Sequence, residues 1–215
     1  EVDAKLVYFA NPDNPMGSWF SGDDIVAQLD MIPEGCVLLL DEAYIELAPE
    51  GTAAPVGIND PRVIRMRTFS KGYGMAGARI GYALGEAEFI RAFEKIRNHF
   101  GLNRAAQAGA LAALQDADWL AATQAKVAEA RDTIGGIAEK YGLKALPSAT
   151  NFVTIDCGRD GAYAKAILDG LVARGVFVRT PFVEPQNRCI RLSCGPAEAL
   201  ALFDEALEEV LAELG

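Results

Sequence analysis

The chain has 215 residues, 51% of them hydrophobic and 23% charged, with a formal net charge of −10. This composition excludes a disordered chain and suffices for one large or two small domains. The negative charge, with no local cluster of Lys and Arg, repels a phosphodiester backbone and argues against a nucleic-acid partner.

No apolar run reaches the roughly 18 residues that span a bilayer, and the polar start Glu1-Val2-Asp3-Ala4-Lys5 lacks the apolar core of a secretory signal. A cytoplasmic protein without membrane contact is the expectation. Cys36, Cys157, Cys189 and Cys194 lack C-x-x-C spacing, and His99, the one histidine, has no ligand companion near it in sequence. Neither a metal site nor a disulfide framework is expected; the cysteines read as inert buried thiols.

In chain order, the first half alternates apolar runs with helical patterns. Leu6 to Ala10, Val37 to Leu40, Val63 to Thr68 and Ile80 to Leu84 read as strands, several without polar alternation, as in the buried sheet of an α/β protein. Between them, Asp23 to Met31 and Glu86 to Asn98 have helical spacing, the first opened by the capping sequence Ser21-Gly22-Asp23-Asp24. Asn103 to about Tyr141, rich in Ala, Gln, Glu, Lys and Leu, reads as one or two long helices in spite of the weakening pair Gly135-Gly136. The remainder predicts strands at Asn151 to Asp156, Val176 to Arg179 and Cys189 to Ser193, and helices at Ala162 to Ala173 and Ala197 to Leu214. The last helix carries Leu200, Phe203, Leu207, Val210, Leu211 and Leu214 on one face, by which it should pack. The fold class is therefore α/β, a mainly parallel sheet with helices, followed by a small C-terminal α+β domain. The boundary is placed between residues 115 and 116. Tyr8, Phe9, Trp19 and Trp119 read as core or interface aromatics, and His99 as a helix-end residue.

Polar loops beside the apolar strands are where α/β proteins collect ligand-binding residues. Asn11-Pro12-Asp13-Asn14-Pro15-Met16-Gly17 sets an unusual turn after the first strand and fixes the Asn14 amide; alone it is equally a plain turn. Asp41-Glu42-Ala43-Tyr44 puts an acidic pair at the end of a buried strand, where a carboxylate needs a cation or donor unless it only opens a helix. Thr68 to Arg79 holds Ser70, Lys71 and Arg79 in a glycine-rich loop whose amides and guanidinium suit an anion; the alternative is a solvated loop. In Cys189-Ile190-Arg191-Leu192-Ser193 an arginine is flanked by apolar residues and calls for a carboxylate from protein or ligand.

In this order the segments resemble those of fold-type I pyridoxal-phosphate enzymes, and among them the histidinol-phosphate aminotransferases. That family shows N-P-x-N-P-T-G, D-E-A-Y, S-K-x-x-x-x-x-G-x-R and a late strand with Arg. The resemblance covers essentially the whole chain and departs at Met16, where the family has Thr. It implies pyridoxal 5'-phosphate as cofactor, held as an aldimine on Lys71, which also moves the proton during amino transfer. Asp41 matches the partner of the pyridinium nitrogen, and Asn14 and Tyr44 match donors to the ring's phenolic oxygen. Ser70 and Arg79 match the phosphate ligands. Arg191 matches the clamp on the substrate α-carboxylate, and Arg179 a second substrate arginine for a distal phosphate or carboxylate. The implied reaction moves an amino group between an amino acid or histidinol phosphate and 2-oxoglutarate, in amino-acid biosynthesis, by a cytoplasmic homodimer. The same residues would serve a decarboxylase or lyase of this fold, and an aminotransferase-like module without catalysis is the remaining alternative. The chain resembles the C-terminal portion of such enzymes. The glycine-rich phosphate turn, the ring-stacking aromatic and the substrate arm of the family have no counterpart before Asn11.

Overall fold

The computed structural model describes residues 4–215; the start of the polar segment, Glu1, Val2 and Asp3, lies outside the described residues. Contacts divide the chain into two compact units. The first runs to Pro12 and resumes over Trp19–Gln124, and the second comprises Asp13–Ser18 and Ala125–Gly215.

The first unit is built on a sheet of β1 (Leu6–Ala10), β2 (Val37–Asp41), β3 (Val63–Thr68) and β4 (Gly81–Leu84), in that spatial order. β1, β2 and β3 are parallel and β4 joins antiparallel, so the sheet is mainly parallel as expected. Between β1 and β2, helix α1 (Gly22–Gln28) starts on a capping box in which Ser21 and Asp24 satisfy each other's backbone amides. It buries Ile25, with Leu29 just beyond, against Leu38, Leu40 and Val63 of the sheet. Helices α2 (Ala87–Glu94) and α3 (Arg104–Gln115) follow β4; Ala106 and Ala110 of α3 close over Phe69 and Ile80.

Helix α4 (Ala117–Lys140) contributes its residues from Ala125 onward to the second unit. There, β5 (Lys144–Ala145), β6 (Phe152–Asp156) and β7 (Cys189–Ser193) form an antiparallel sheet, accompanied by α5 (Gly161–Ala173) and α6 (Ala197–Leu214). Ile134, Ile155, Ile167, Leu171, Ile190, Phe203 and Leu207 are each 0% exposed. At roughly 1.5–3 kcal/mol per fully buried large apolar side chain, this cluster is the main cohesion of the unit. The stripe predicted on the last helix is the face that packs, with Leu211 and Leu214 at its partly buried margin.

Several expectations need correction. Val176 to Arg179 is not a strand: only Arg179 pairs, through an isolated bridge to Arg191, and Val178 is buried by packing. β1 is not a buried strand, since Leu6 and Tyr8 are 60% and 64% exposed. The predicted second helix is shorter than Glu86 to Asn98; α2 has no buried residue to anchor a further turn, and Ile96 beyond it is exposed. His99 accordingly lies past the helix, on the surface. Of the aromatics expected in core or interface, Phe9 packs on the core cluster with its ring tilted against Phe20, and Trp119 is exposed, which excludes the core for it and leaves the interface reading. Helix α4 runs through Gly135-Gly136 without a break, because Ala130, Ile134, Ile137 and Ala138 hold its inner face. Cys36, Cys157 and Cys189 are buried; burial pushes the Cys157 thiol up to about 12 and that of the half-buried Cys194 to about 11, as fits inert thiols.

Candidate active site

In the first unit the carboxyl end of β2 and the loop after β3 border a cleft of about 390 Å³. Asp41, Ser70, Lys71 and Arg79 all line it, along with Ala43 and Arg67. Their convergence follows from the fold: parallel β2 and β3 end on the same side, and the loops that leave them carry the polar residues. Asp41 is held at both oxygens, Oδ1 accepting the Ala43 N–H at 2.9 Å and Oδ2 the Tyr8 hydroxyl at 2.6 Å. Tyr44, buried, lies beside Lys71, whose Nζ sits 5.2 Å from the centre of its ring.

The loop that carries Lys71 is braced at each end. The Ser70 amide donates to Thr68 Oγ1 at 3.0 Å. Gly72 packs so closely on the turn after Tyr44 that a Cβ there would stand 2.9 Å from Glu46 Cβ. Arg79 holds a left-handed backbone (φ 53°) and donates Nη1 to the Ala76 carbonyl at 2.9 Å. A non-glycine residue in that region stores strain of order 1 kcal/mol or more, which is often found where a side chain must be aimed.

Beneath the cleft, Glu42 is 1% exposed and meets both Arg65 and Arg67, with Nε to carboxylate distances of 3.0 Å and 2.7 Å. Of the acidic pair at the end of β2, Glu42 is thus the one met by protein cations, while Asp41 faces the cleft. The two arginines were legible as alternate residues of one strand, which share a face, and sequence reasoning passed over them. Glu46 was also missed: neither of its buried carboxylate oxygens makes a hydrogen bond among the described residues. Burial raises its pKa above its ordinary value.

The remaining candidates lie in the second unit. Asn14 belongs to the segment Asp13–Ser18, which is tied there by Thr154 Oγ1 donating to the Pro15 carbonyl at 2.6 Å and the Ala149 amide to that of Gly17 at 2.9 Å. Gly17 has φ +81°, and a Cβ on it would lie 2.6 Å from Ser148 Oγ, so the turn requires glycine. Arg191 donates to the Asn14 side-chain oxygen and stacks 4.7 Å from the Phe152 ring centre. Asn14 thus gives Arg191 an amide contact within the protein, and a carboxylate from a ligand remains the expectation from sequence. Arg179 and Arg191 are backbone partners, and with Asn14 they line a cleft of about 700 Å³ rimmed by Phe177 and Phe182. The structure brings Asp41, Tyr44, Ser70, Lys71 and Arg79 together in one unit, and Asn14, Arg179 and Arg191 in the other. Among the described residues no cluster of His, Cys, Asp and Glu could hold a metal, and no helix is long and apolar enough to cross a membrane.

The chain is similar to histidinol-phosphate aminotransferase 2 of Pseudomonas fluorescens, at 35% identity over 97% of this chain and 56% of that protein. It is also similar to histidinol-phosphate aminotransferase 1 of Thiobacillus denitrificans, at 39% identity over 98% of this chain and 54% of that protein. The chain thus spans little more than half the length of these relatives. In structure it resembles the histidinol-phosphate aminotransferase of Sinorhizobium meliloti, solved in complex with pyridoxal-5'-phosphate. The TM-score is 0.95 at 52% identity, covering 99% of this chain and 59% of that one. The family model for aminotransferase class I and II matches residues 1–210, and the chain belongs to that family.

Proposed function

We propose that this chain is the lysine-bearing portion of a pyridoxal-phosphate-dependent aminotransferase that moves an amino group between an amino acid or histidinol phosphate and 2-oxoglutarate. The observation that carries the reading is the convergence of Lys71, Asp41, Ser70 and Arg79 on one cleft. That donor set fits pyridoxal phosphate: a carboxylate for a protonated ring nitrogen, an amine for the aldehyde carbon, and a hydroxyl with a guanidinium for the phosphate. When bound, the cofactor supplies an electron sink for the bond broken at the substrate α-carbon.

The protein's part is binding, orientation and proton movement. Asp41 accepts from the ring nitrogen and keeps its proton there. Ser70 and Arg79 bind the phosphate, Arg79 through the planar fork that suits an oxyanion. Tyr44 and Asn14 donate to the phenolic oxygen. Lys71 takes the proton from the α-carbon and returns it on the other side of the exchange. Arg191 grips the substrate carboxylate, exchanging the Asn14 amide for a charged partner, and Arg179 receives a distal phosphate or carboxylate. The names of the relatives favour histidinol phosphate as one amino donor. A homodimer in the cytoplasm completes the reading.

The test is an amino-transfer assay on the full-length protein with histidinol phosphate and, separately, an aromatic amino acid, each with 2-oxoglutarate. Loss of a positioned acid–base group lowers turnover by about 10²–10⁴, so Lys71→Ala should fall by at least that much. A Lys71→Ala protein that keeps wild-type turnover refutes the assignment.

A further inference from the structure

The sequence reads Tyr8 as a packing aromatic, yet it is 64% exposed and its hydroxyl donates to Asp41 Oδ2 at 2.6 Å. The register makes this contact possible. β1 and β2 run parallel with Ala10 opposite Asp41 and Tyr8 opposite Leu39, so Tyr8 and Asp41 lie on the same face two residues apart along the strands. That offset is about 7 Å, a gap that a phenol side chain bridges and a shorter hydroxyl does not.

We propose that Tyr8 is a positioning residue for Asp41, fixing the plane in which that carboxylate meets the ring nitrogen of the cofactor; this rests on the role given to Asp41 above. The carboxylate has one protein donor on each oxygen, Ala43 N–H on Oδ1 and Tyr8 O–H on Oδ2. Rotation about Cβ–Cγ breaks at least one of these bonds. A carboxylate oxygen has two acceptor sites, so each oxygen keeps one for a further donor. The lone pair left for that donor is therefore held in a set direction, and hydrogen-bond strength depends on that direction. The O–H···O distance of 2.6 Å lies within the range usual for a hydroxyl on a carboxylate. The Ala43 amide alone would leave the second oxygen free to swing.

The test is Tyr8→Phe in the full-length protein, which removes the hydroxyl and keeps the ring. Three quantities are measured: affinity of the apoprotein for pyridoxal phosphate, affinity for an analogue in which the ring nitrogen is replaced by C–H, and thermal midpoint without ligand. The proposal expects pyridoxal phosphate to bind about tenfold more weakly to Tyr8→Phe, the worth of one hydrogen bond to a charged group. It expects the analogue to bind both proteins alike and the midpoint to fall by no more than a few degrees, since water reaches the exposed Tyr8 side chain and replaces its hydroxyl. Equal loss for both ligands would make Tyr8 a packing residue and overturn the proposal, as would unchanged affinity for pyridoxal phosphate. If the wild-type protein itself takes up no pyridoxal phosphate, the cofactor reading falls and this inference falls with it. If the wild type binds and no nitrogen-dependent difference is found, only the role of Tyr8 is lost.

Discussion

Replacing Glu42 by Leu should be among the most damaging single changes in the first unit. Its carboxylate is 1% exposed and is the shared acceptor of Arg65 and Arg67, whose side chains are 17% and 20% exposed. Two charged donors, Arg65 Nε shared between both oxygens and Arg67 Nε on one, amount to about 3–6 kcal/mol on the usual scale of 1.5–3 each. Because the arginines retain some surface, water recovers part of this. A loss of about 3 kcal/mol remains, in line with the penalty for stranding one side of a buried ion pair. The assay is urea unfolding followed by far-ultraviolet circular dichroism, with the transition of the first unit fitted separately from that of the second. A second protein, with Glu42→Leu, Arg65→Met and Arg67→Met together, should regain most of the loss, since an apolar replacement of a whole buried ion cluster is often neutral. A Glu42→Leu protein within about 1 kcal/mol of wild type would refute the reasoning, because neither arginine would then depend on the carboxylate.

Glu46 should make the protein less stable as pH rises. Its folded pKa is raised, chiefly by burial, above the ordinary value of 4.5. Its stabilising contribution is therefore full below 4.5 and is lost as pH climbs through the raised folded value. Glu46→Gln should flatten this decline, and parallel stability–pH curves for the two proteins would contradict it. In the second unit, Gly17→Ala should destabilise by about 2 kcal/mol or more, from the left-handed backbone and the clash with Ser148. Gly136→Ala, in α4 where an added Cβ meets nothing within 4 Å, should stabilise by about 0.5–1 kcal/mol; thermal unfolding checks both signs.

The strands were legible because each is a short, mostly apolar run closed by a polar loop, and β1 and β3 of the first unit and β7 of the second match the predicted limits residue for residue. Runs of that kind report hydrophobicity and leave pairing open. Val176 to Val178 has the same look, yet its backbone enters no strand and Val178 is buried by packing. Burial of β1 was misjudged for a related reason: whether Leu6 and Tyr8 are covered depends on a neighbouring layer, which local pattern does not encode. The candidate site was legible where chemistry sits in contiguous loops, as with Ser70, Lys71 and Arg79. It was illegible where the partners are brought together by strand register. Tyr8 and Asp41 are 33 residues apart, and Glu42 is 23 from Arg65. The division of candidates, with Asn14 grouped beside Arg191 and apart from Asp41, likewise follows from segment Asp13–Ser18 packing on the second unit.

The central claim is that Lys71 is the residue to which the cofactor attaches. Incubating the full-length protein with pyridoxal phosphate, reducing with borohydride and mapping the labelled peptide tests it most directly. The account predicts one pyridoxyl-modified lysine, Lys71, with labelling abolished in Lys71→Ala. A stable label on another lysine, or none on a protein that is otherwise folded, would contradict it.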